Sequence, residues 1–388
     1  MNYNEMLNYI YELRRFGIKL GLEPMKKALE AFDNPHNDLR FIHITGTNGK
    51  GSAASMLNSI LLTAGYKVGM FTSPHLVDFR ERIQVDSDKI DKITLVEICN
   101  DIFEKDLELT FFEFITLVAF LYFKRMKVDY VVLEVGLGGT HDATNIVESK
   151  ISAITNIALD HTHILGNDVE TIARDKCGII KDNSIVVTTK SNWQVLPIIK
   201  SYAEEKHAKL EISETCNLPL ALKGDFQRDN AGIVVKVAEL LGVSEENIKA
   251  GLINASWPGR VEYIEDNVIL DGAHNEAAIK ALSQYISTLD YNNLILVFGV
   301  TEHKDYKAML ELMPKHKVVF TQAKVSRSLD ISEVNLDCEK IQDPTKAFER
   351  AKQIATKGDL ILVTGSLYLV GNIKEIYQKE ENVMRVAM

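Results

Sequence analysis

Cysteine is sparse in this sequence and never closely paired. The four residues, Cys99, Cys177, Cys216 and Cys338, lie far apart and form no C-x-x-C motif. That spacing excludes a disulfide-stapled scaffold and a cysteine-built zinc site, and it fits reduced thiols in a cytosolic protein. Long apolar runs are missing too. The longest apolar stretch covers residues 115–123, far short of the roughly 20 residues a membrane helix needs. The N-terminal segment MNYNEMLNYIYELRRFG carries charges throughout and so lacks the apolar core of a signal peptide. Basic charge is also in deficit. Lys and Arg number 44 against 54 Asp and Glu, a net charge of -10, which argues against duplex nucleic acid as a partner. A local pocket can still be basic on an acidic protein. These absences predict a soluble, cytoplasmic protein with no nucleic-acid or membrane partner.

What is present is ordinary globular composition, 46% hydrophobic and 25% charged over 388 residues, a length that predicts two domains with ample core. Short apolar runs recur, each followed by a helical pattern. FIHI (41–44), VGMF (68–71), DYVVLEV (129–135), ISAITNIA (151–158) and SIVVTT (184–189) read as strands. Helical stretches include 113–126, 193–206 and 227–252. After WPGR (257–260) the alternation resumes with VIL, LILVFGV, KVVFTQA and LILVTG. Strands alternating with helices predict an α/β protein with mainly parallel sheets. The Pro-Gly punctuation predicts a boundary between domains 1–256 and 257–388.

The segment GTNGKGS (46–52) lies between strand FIHI and a helix. Glycines there let backbone N–H groups converge on phosphate oxygens, and a helix N-terminus adds its positive dipole end. Lys50 supplies a mobile charge for the outer phosphates, and the Ser52 hydroxyl can face Mg²⁺. Gly51 separates the lysine from the hydroxyl, which departs from the common G-x-x-x-x-G-K-[ST] spacing.

Three further segments follow strands at the edge where a doubly wound sheet builds its ligand crevice. TSPH carries Ser73, DYVVLEV ends on Glu134, and LDHT carries Asp160 and His161. Ser73 and Glu134 suit Mg²⁺, which prefers oxygen ligands, phosphates and water, and His161 would be a softer third ligand. Taken singly, a histidine after a strand is more often a packing residue, and Asp160 reads as a turn or cap. Lys176 ends a short helix that begins near Asp168; on residue physics alone it reads as a surface lysine. In the second half, Asp271 follows strand VIL, where a carboxylate can accept from a ribose or cap a helix. Arg260 can reach phosphates or form a surface ion pair.

The ordered set GTNGKGS, TSPHL…FRERI, LEVGLGG…DATN, LDHT, ARDK, GDFQRDN, WPGR and LDGAHN resembles the folylpolyglutamate synthase and dihydrofolate synthase family of the Mur ligase superfamily, from about residue 10 to residue 375. The resemblance implies an N-terminal ATPase domain and a C-terminal Rossmann-like domain. It implies that Gly49, Lys50, Gly51, Ser52, Asn230, Arg260, Asp271 and His274 bind ATP, and that Ser73, Glu134 and His161 hold Mg²⁺. Lys176 matches the lysine that the family carbamylates, so the resemblance implies a second Mg²⁺ held by a carbamate there. It places the folate side at Thr110, Phe111, Phe112, Glu113 and Asp142, with the stretch 19–22. Its implied chemistry is ATP-driven glutamate addition to a reduced folate or dihydropteroate through an acyl phosphate, by a monomer, with Lys50, Lys176 and His161 catalytic.

Many members read GLGGRLDATN, where this chain has Thr140 and His141 in place of Arg-Leu. That substitution removes a cation near the expected folate site and predicts weaker use of dihydropteroate than of reduced folates. The stretch 210–224 is also short, so a β-hairpin is expected to be missing. Two other readings compete. A peptidoglycan Mur ligase would need a UDP-binding domain, for which the 45 residues before Gly46 are too few. A non-catalytic nucleotide-binding regulator would not need Glu134, His161 and Lys176 together.

Overall fold

The computed structural model describes residues 1–17 and 21–387, the side chains of residue 16 and residues 380–387 excepted. It divides into two compact units. The first comprises Met1–His75, Phe79–Ala221 and Gln227–Ser256, the second Leu76–Asp78, Leu222–Phe226 and Trp257–Met388.

The first unit opens with helices α1 (Tyr3–Glu12) and α2 (Glu23–Glu30), followed by β1 (Phe41–Thr45), α3 (Lys50–Thr63) and β2 (Val68–Phe71). Next come β3 (Ile83–Val85), β4 (Asp88–Lys89), α4 (Lys92–Phe103), α5 (Phe111–Met126), β5 (Tyr130–Glu134) and β6 (Ile151–Ile154). It continues through α6 (Thr162–Leu165), α7 (Val169–Cys177), β7 (Ile185–Thr189), α8 (Leu196–Glu205), β8 (Lys209–Ser213), α9 (Phe226–Leu240) and α10 (Glu245–Asn254). The sheet runs β4-β3-β2-β5-β1-β6-β7-β8. Strands β2, β5, β1, β6, β7 and β8 are parallel, and only β3 and β4 run against their neighbours. The apolar run at 115–123 is the middle of α5, where Phe114, Leu117, Phe120 and Phe123 are buried. Phe123 packs onto Gly69 of β2, where a Cβ would stand 2.7 Å from its ring.

Register explains why the site lies at one sheet edge. Ile44 pairs with Glu134, Thr45 with Ile154, and Phe71 with Leu133. The carboxyl ends of β2, β5, β1 and β6 therefore stand side by side. Strand order reverses at β1, which lies between β5 and β6, and such a switch point is where open parallel sheets bind ligands.

The second unit contains β9 (Glu262–Glu265), β10 (Val268–Leu270), α11 (Glu276–Ile286), β11 (Leu294–Phe298) and α12 (Tyr306–Glu311). It ends with β12 (His316–Thr321), β13 (Glu339–Ile341), α13 (Pro344–Ile354), β14 (Leu360–Thr364) and α14 (Leu367–Ala387). Its sheet order is β13-β12-β11-β14-β10-β9, with only β9 antiparallel. LILVF and LILVT are buried at every position, as expected of parallel strands covered on both faces.

Two sequence expectations change. The helical stretch 227–252 is two helices, because Gly242 adopts φ +77° after α9 and Ser244 caps α10; a left-handed glycine is a common helix stop. The hairpin β3–β4 was not anticipated. Its turn uses Asp86 and Ser87 at φ 53° and 67° instead of the Asn-Gly or Asp-Gly pair that signals such turns. Among the described residues no helix is long and apolar enough to cross a membrane.

Candidate active site

The phosphate loop joins β1 to the N-terminus of α3. Gly49 caps α3 at φ +85°, and a Cβ there would stand 2.3 Å from Asn230 Oδ1, while one on Gly46 would stand 1.8 Å from Thr155 Oγ1. Both positions thus require glycine on steric grounds. The loop is held to the segment after β6. Thr47 N–H donates to Asn156 O at 2.7 Å, Asn48 N–H to Asn156 Oδ1 at 2.7 Å, and Thr155 Oγ1 to Asn48 O at 2.7 Å. Sequence reasoning missed Thr155 and Asn156. Their signal was weak: two polar residues inside a segment read as one continuous strand.

Lys50 Nζ folds back to Gly46 O at 2.9 Å and Thr47 O at 3.2 Å. Lys176 Nζ also reaches Gly46 O, at 3.0 Å. Lys176 is only 3% exposed, so the surface reading fails. Burial, with the charge of Lys50 beside it, pushes its pKa down to about 7 against the pull of Asp175, Asp160 and Asp142. Gln227, also missed, is fully buried and donates from Nε2 to Ser52 Oγ at 3.1 Å, while Asn230 Nδ2 donates to Gln227 Oε1 at 3.0 Å. Asn230 and Gln227 therefore brace Gly49 and Ser52 from α9.

Ser73 and Glu134 come together: the Ser73 N–H donates to Glu134 Oε2 at 3.0 Å. His161 lies on the segment after β6 at φ 48°, its N–H bonded to Asp160 Oδ1 at 2.8 Å. Among the described residues no three His, Cys, Asp or Glu side chains form a metal cluster by themselves. Glu134 is a buried carboxylate at the end of β5, next to the strand β1 that leads into a glycine cradle Cβ atoms would fill; such an oxygen donor fits Mg²⁺, which takes much of its shell from phosphate and water.

On the expected folate side, Thr110 and Glu113 form the capping box of α5: Glu113 Oε2 accepts from Thr110 N–H and Oγ1, each at 2.8 Å. Phe112 packs on Gly136, and Phe111 stacks at 6.2 Å on Tyr11. The guanidinium carbons of Arg14 and Arg82, which sequence reasoning passed over, lie 4.8 and 5.4 Å from the Phe111 ring centroid. Asp142 is buried, which raises its pKa, and accepts from Leu137 N–H, Thr144 N–H and Thr144 Oγ1. With its own proton on Asp142, Thr144 Oγ1 accepts from His43 Nε2 at 2.9 Å, and burial pushes His43 down to about 3. Of the stretch 19–22, Lys19 and Leu20 lie outside the described residues.

In the second unit, Asp271 follows β10 and accepts from Val261 N–H at 2.9 Å and Ala273 N–H at 2.8 Å. The helix cap is Asn275 instead. Arg260 Nη1 donates to Gly259 O at 3.1 Å and lies over Gly272, where a Cβ would stand 2.3 Å away. His274 Nδ1 is 2.9 Å from Gly272 O.

Residues 44–260 match the Mur ligase middle domain and residues 259–367 the Mur ligase glutamate ligase domain. The chain belongs to the Mur ligase family. Within the Mur ligases it is similar to the dihydrofolate synthase/folylpolyglutamate synthase of Bacillus subtilis, 32% identical over 96% of this chain and 98% of that one. It is 34% identical to a probable bifunctional folylpolyglutamate synthase/dihydropteroate synthase of Haloferax volcanii over 98% of this chain, but spans only 51% of that longer protein. The structure of E. coli FolC in complex with DHPP and ADP matches with TM-score 0.88 and 30% identity, covering 97% of this chain and 98% of that one. A folylpolyglutamate synthase/dihydrofolate synthase from Yersinia pestis, complexed with AMPPNP and Mn, matches with TM-score 0.88 and 30% identity over 97% and 98%.

Proposed function

We propose that the protein is an ATP-dependent carboxylate–amine ligase that adds L-glutamate to folates. The observation that carries this is the glycine cradle at the end of β1 with Lys50 and Lys176 both on Gly46 O, set in a Mur ligase chain whose full-length relatives bear that name. In this reading residues 1–256 are the ATPase domain and 257–388 the Rossmann-like ligase domain.

The chemistry follows from the residues. The N-terminus of α3 and Lys50 hold the phosphates of ATP, assisted by Gly49, Gly51, Ser52 and Asn230; Arg260, Asp271 and His274 are read as the nucleotide contacts of the second domain. Positioning and charge stabilisation are the main levers in phosphoryl transfer. The substrate carboxylate takes the γ-phosphoryl group, giving an acyl phosphate and ADP. The glutamate amine attacks the acyl carbon, a tetrahedral species forms, and phosphate leaves as the amide closes. Mg²⁺ bound by Ser73, Glu134 and His161 would neutralise phosphate charge. Lys176 as a free amine combines with CO₂ to give a carbamate and a proton, turning a neutral group into an anion that would serve a second Mg²⁺. Thr110, Phe111, Phe112, Glu113 and Asp142 form the folate side, directly or by shaping it. The enzyme works as a cytoplasmic monomer.

A second activity, conversion of dihydropteroate to dihydrofolate, is favoured by the name dihydrofolate synthase that the Bacillus subtilis relative also bears. Purified protein with ATP, Mg²⁺ and labelled glutamate, given tetrahydrofolate, dihydropteroate or a UDP-linked peptidoglycan precursor in separate reactions, tests both. Amide product with tetrahydrofolate supports the reading. Label transferred only to a UDP-linked peptidoglycan precursor makes it a cell-wall ligase, and nucleotide binding without turnover makes it a regulator.

A further inference from the structure

Helix α7 ends at Cys177, one residue past Lys176. The carbonyls of a helix's last turn have no partner within the helix, so their partners decide how firmly that turn is held. Here Gly178 N–H donates to Asp175 O at 3.1 Å and Ile179 N–H to Lys176 O at 3.3 Å, and the loop after β5 adds donors of its own. Thr140 directs both its donors at one acceptor: its N–H lies 3.0 Å and its hydroxyl 2.9 Å from Asp175 O. Asn145 Nδ2 donates to Thr140 O and to Gly178 O, each at 3.0 Å. Backbones approach this closely because two glycines meet. A Cβ on Gly139 would stand 2.8 Å from Lys176 Cα, and one on Gly178 would stand 2.1 Å from Thr140 Oγ1. The loop itself is anchored to β1, where Thr45 Oγ1 donates to Gly138 O at 2.7 Å. What is gripped is the backbone of Lys176, the residue whose Nζ reaches Gly46 O.

We propose that Thr140 and Asn145 are positioning residues that hold the end of α7 so that the Lys176 amine stays at the phosphate loop. Neither touches a reacting atom; both act through the lysine. A long flexible side chain can deliver its amine to one place only if its Cα is fixed, and these residues hold Asp175 O, in the peptide that leads into that Cα, and Gly178 O, two residues past it. The strand that presents Glu134 thereby also sets the position of Lys176, linking two parts of one site. The inference deepens the ligase reading and rests on it for its kinetic arm.

The test uses Thr140→Val, which keeps the branched shape and removes the hydroxyl, with Thr140→Ser as the conservative rescue. On the full chain without nucleotide, acylation of lysines by an amine-reactive reagent is followed by peptide mass spectrometry. Loss of one partly buried hydrogen bond should make Lys176 react roughly 5–10-fold faster in Thr140→Val, with Thr140→Ser close to wild type. In the ligation assay kcat should fall by a similar factor, while KM for ATP moves less than about twofold. Should Thr140→Val fail to fold, Asn145→Ala is read the same way. Unchanged labelling of Lys176 overturns the proposal. So does an equal rise at Lys374, a half-buried lysine of the second unit, because that would be general loosening. If wild-type protein makes no glutamate conjugate, the functional reading fails, and the labelling arm still decides the clamp.

Discussion

Lys50 and Lys176 donate to the same oxygen, Gly46 O, at 2.9 and 3.0 Å. Two full cations sharing one carbonyl would repel each other in a poorly solvated site. The strain is relieved by the proton equilibrium of Lys176, whose pKa burial and Lys50 push down to about 7. Lys176 is thus the amine at the loop that can be neutral.

Lys50→Ala should lower kcat about 10²–10³-fold, the scale of losing one preorganised charge-stabilising donor. Folding should survive, because the residue is only half-buried at the start of α3. Wild-type turnover in a folded variant would remove Lys50 from the phosphate site.

Lys176→Met should stabilise the protein without nucleotide at low pH, and the gain should fade as pH rises. The sign follows from linkage. The folded pKa, about 7, lies below the ordinary lysine value of 10.5, so between those limits the unfolded chain holds more protons and wild-type stability rises with pH. Below pH 7 the folded wild type must bury a charge that methionine lacks; above 10.5 neither state carries it. Melting temperatures of both proteins across this range decide the matter, and a pH-independent difference would show that Lys176 is not the titrating group.

Glu134→Gln keeps size and removes the charge a hard cation wants. The Mg²⁺ concentration needed for half-maximal rate should rise about tenfold or more, the scale of lost metal support. Nucleotide binding measured without metal should change little. An unaltered Mg²⁺ titration would strike Glu134 from the ligand set.

Thr110→Ala should cost about 0.5–2 kcal/mol of stability, the worth of a helix cap, because Thr110 and Glu113 close the capping box of α5. If the pair serves folding alone, KM for folate stays put while the melting point drops. A raised KM with an unchanged melting point would reverse that assignment and make Thr110 a substrate contact.

The sheet strands were legible because buried parallel strands read as unbroken apolar runs, such as LILVF and LILVT, and the phosphate loop because its glycines stand between a strand and a helix. The β3–β4 hairpin was not, since Asp86 and Ser87 take left-handed backbone without a glycine to announce it. Lys176 shows the deeper limit. Its helix and its place in that helix could be read, but burial depends on α7 packing against a loop some 35 residues earlier, which no local pattern reports. Gln227 and Thr155 were missed for the same reason: each holds the phosphate loop across a long sequence separation.

Thr140 carries the last expectation. Its replacement of an arginine predicted a lost cation near the folate and weaker use of dihydropteroate. The structure gives the side chain another task. Its hydroxyl donates to Asp175 O, and its flank fills the space a Cβ on Gly178 would need, so the group faces α7. A residue that acts through Lys176 affects carboxylate activation, a step both substrates share, and leaves recognition of the glutamyl tail alone. Thr140→Val should therefore lower kcat/KM for dihydropteroate and for tetrahydrofolate by the same factor. Independent effects usually add within about 0.3–0.5 kcal/mol, so the ratio of the two values should move by no more than about twofold. Competing the two substrates in one reaction, and reading the products by mass, measures that ratio directly. A shift beyond about tenfold, equivalent to roughly 1.4 kcal/mol, would mean that position 140 reads the substrate after all.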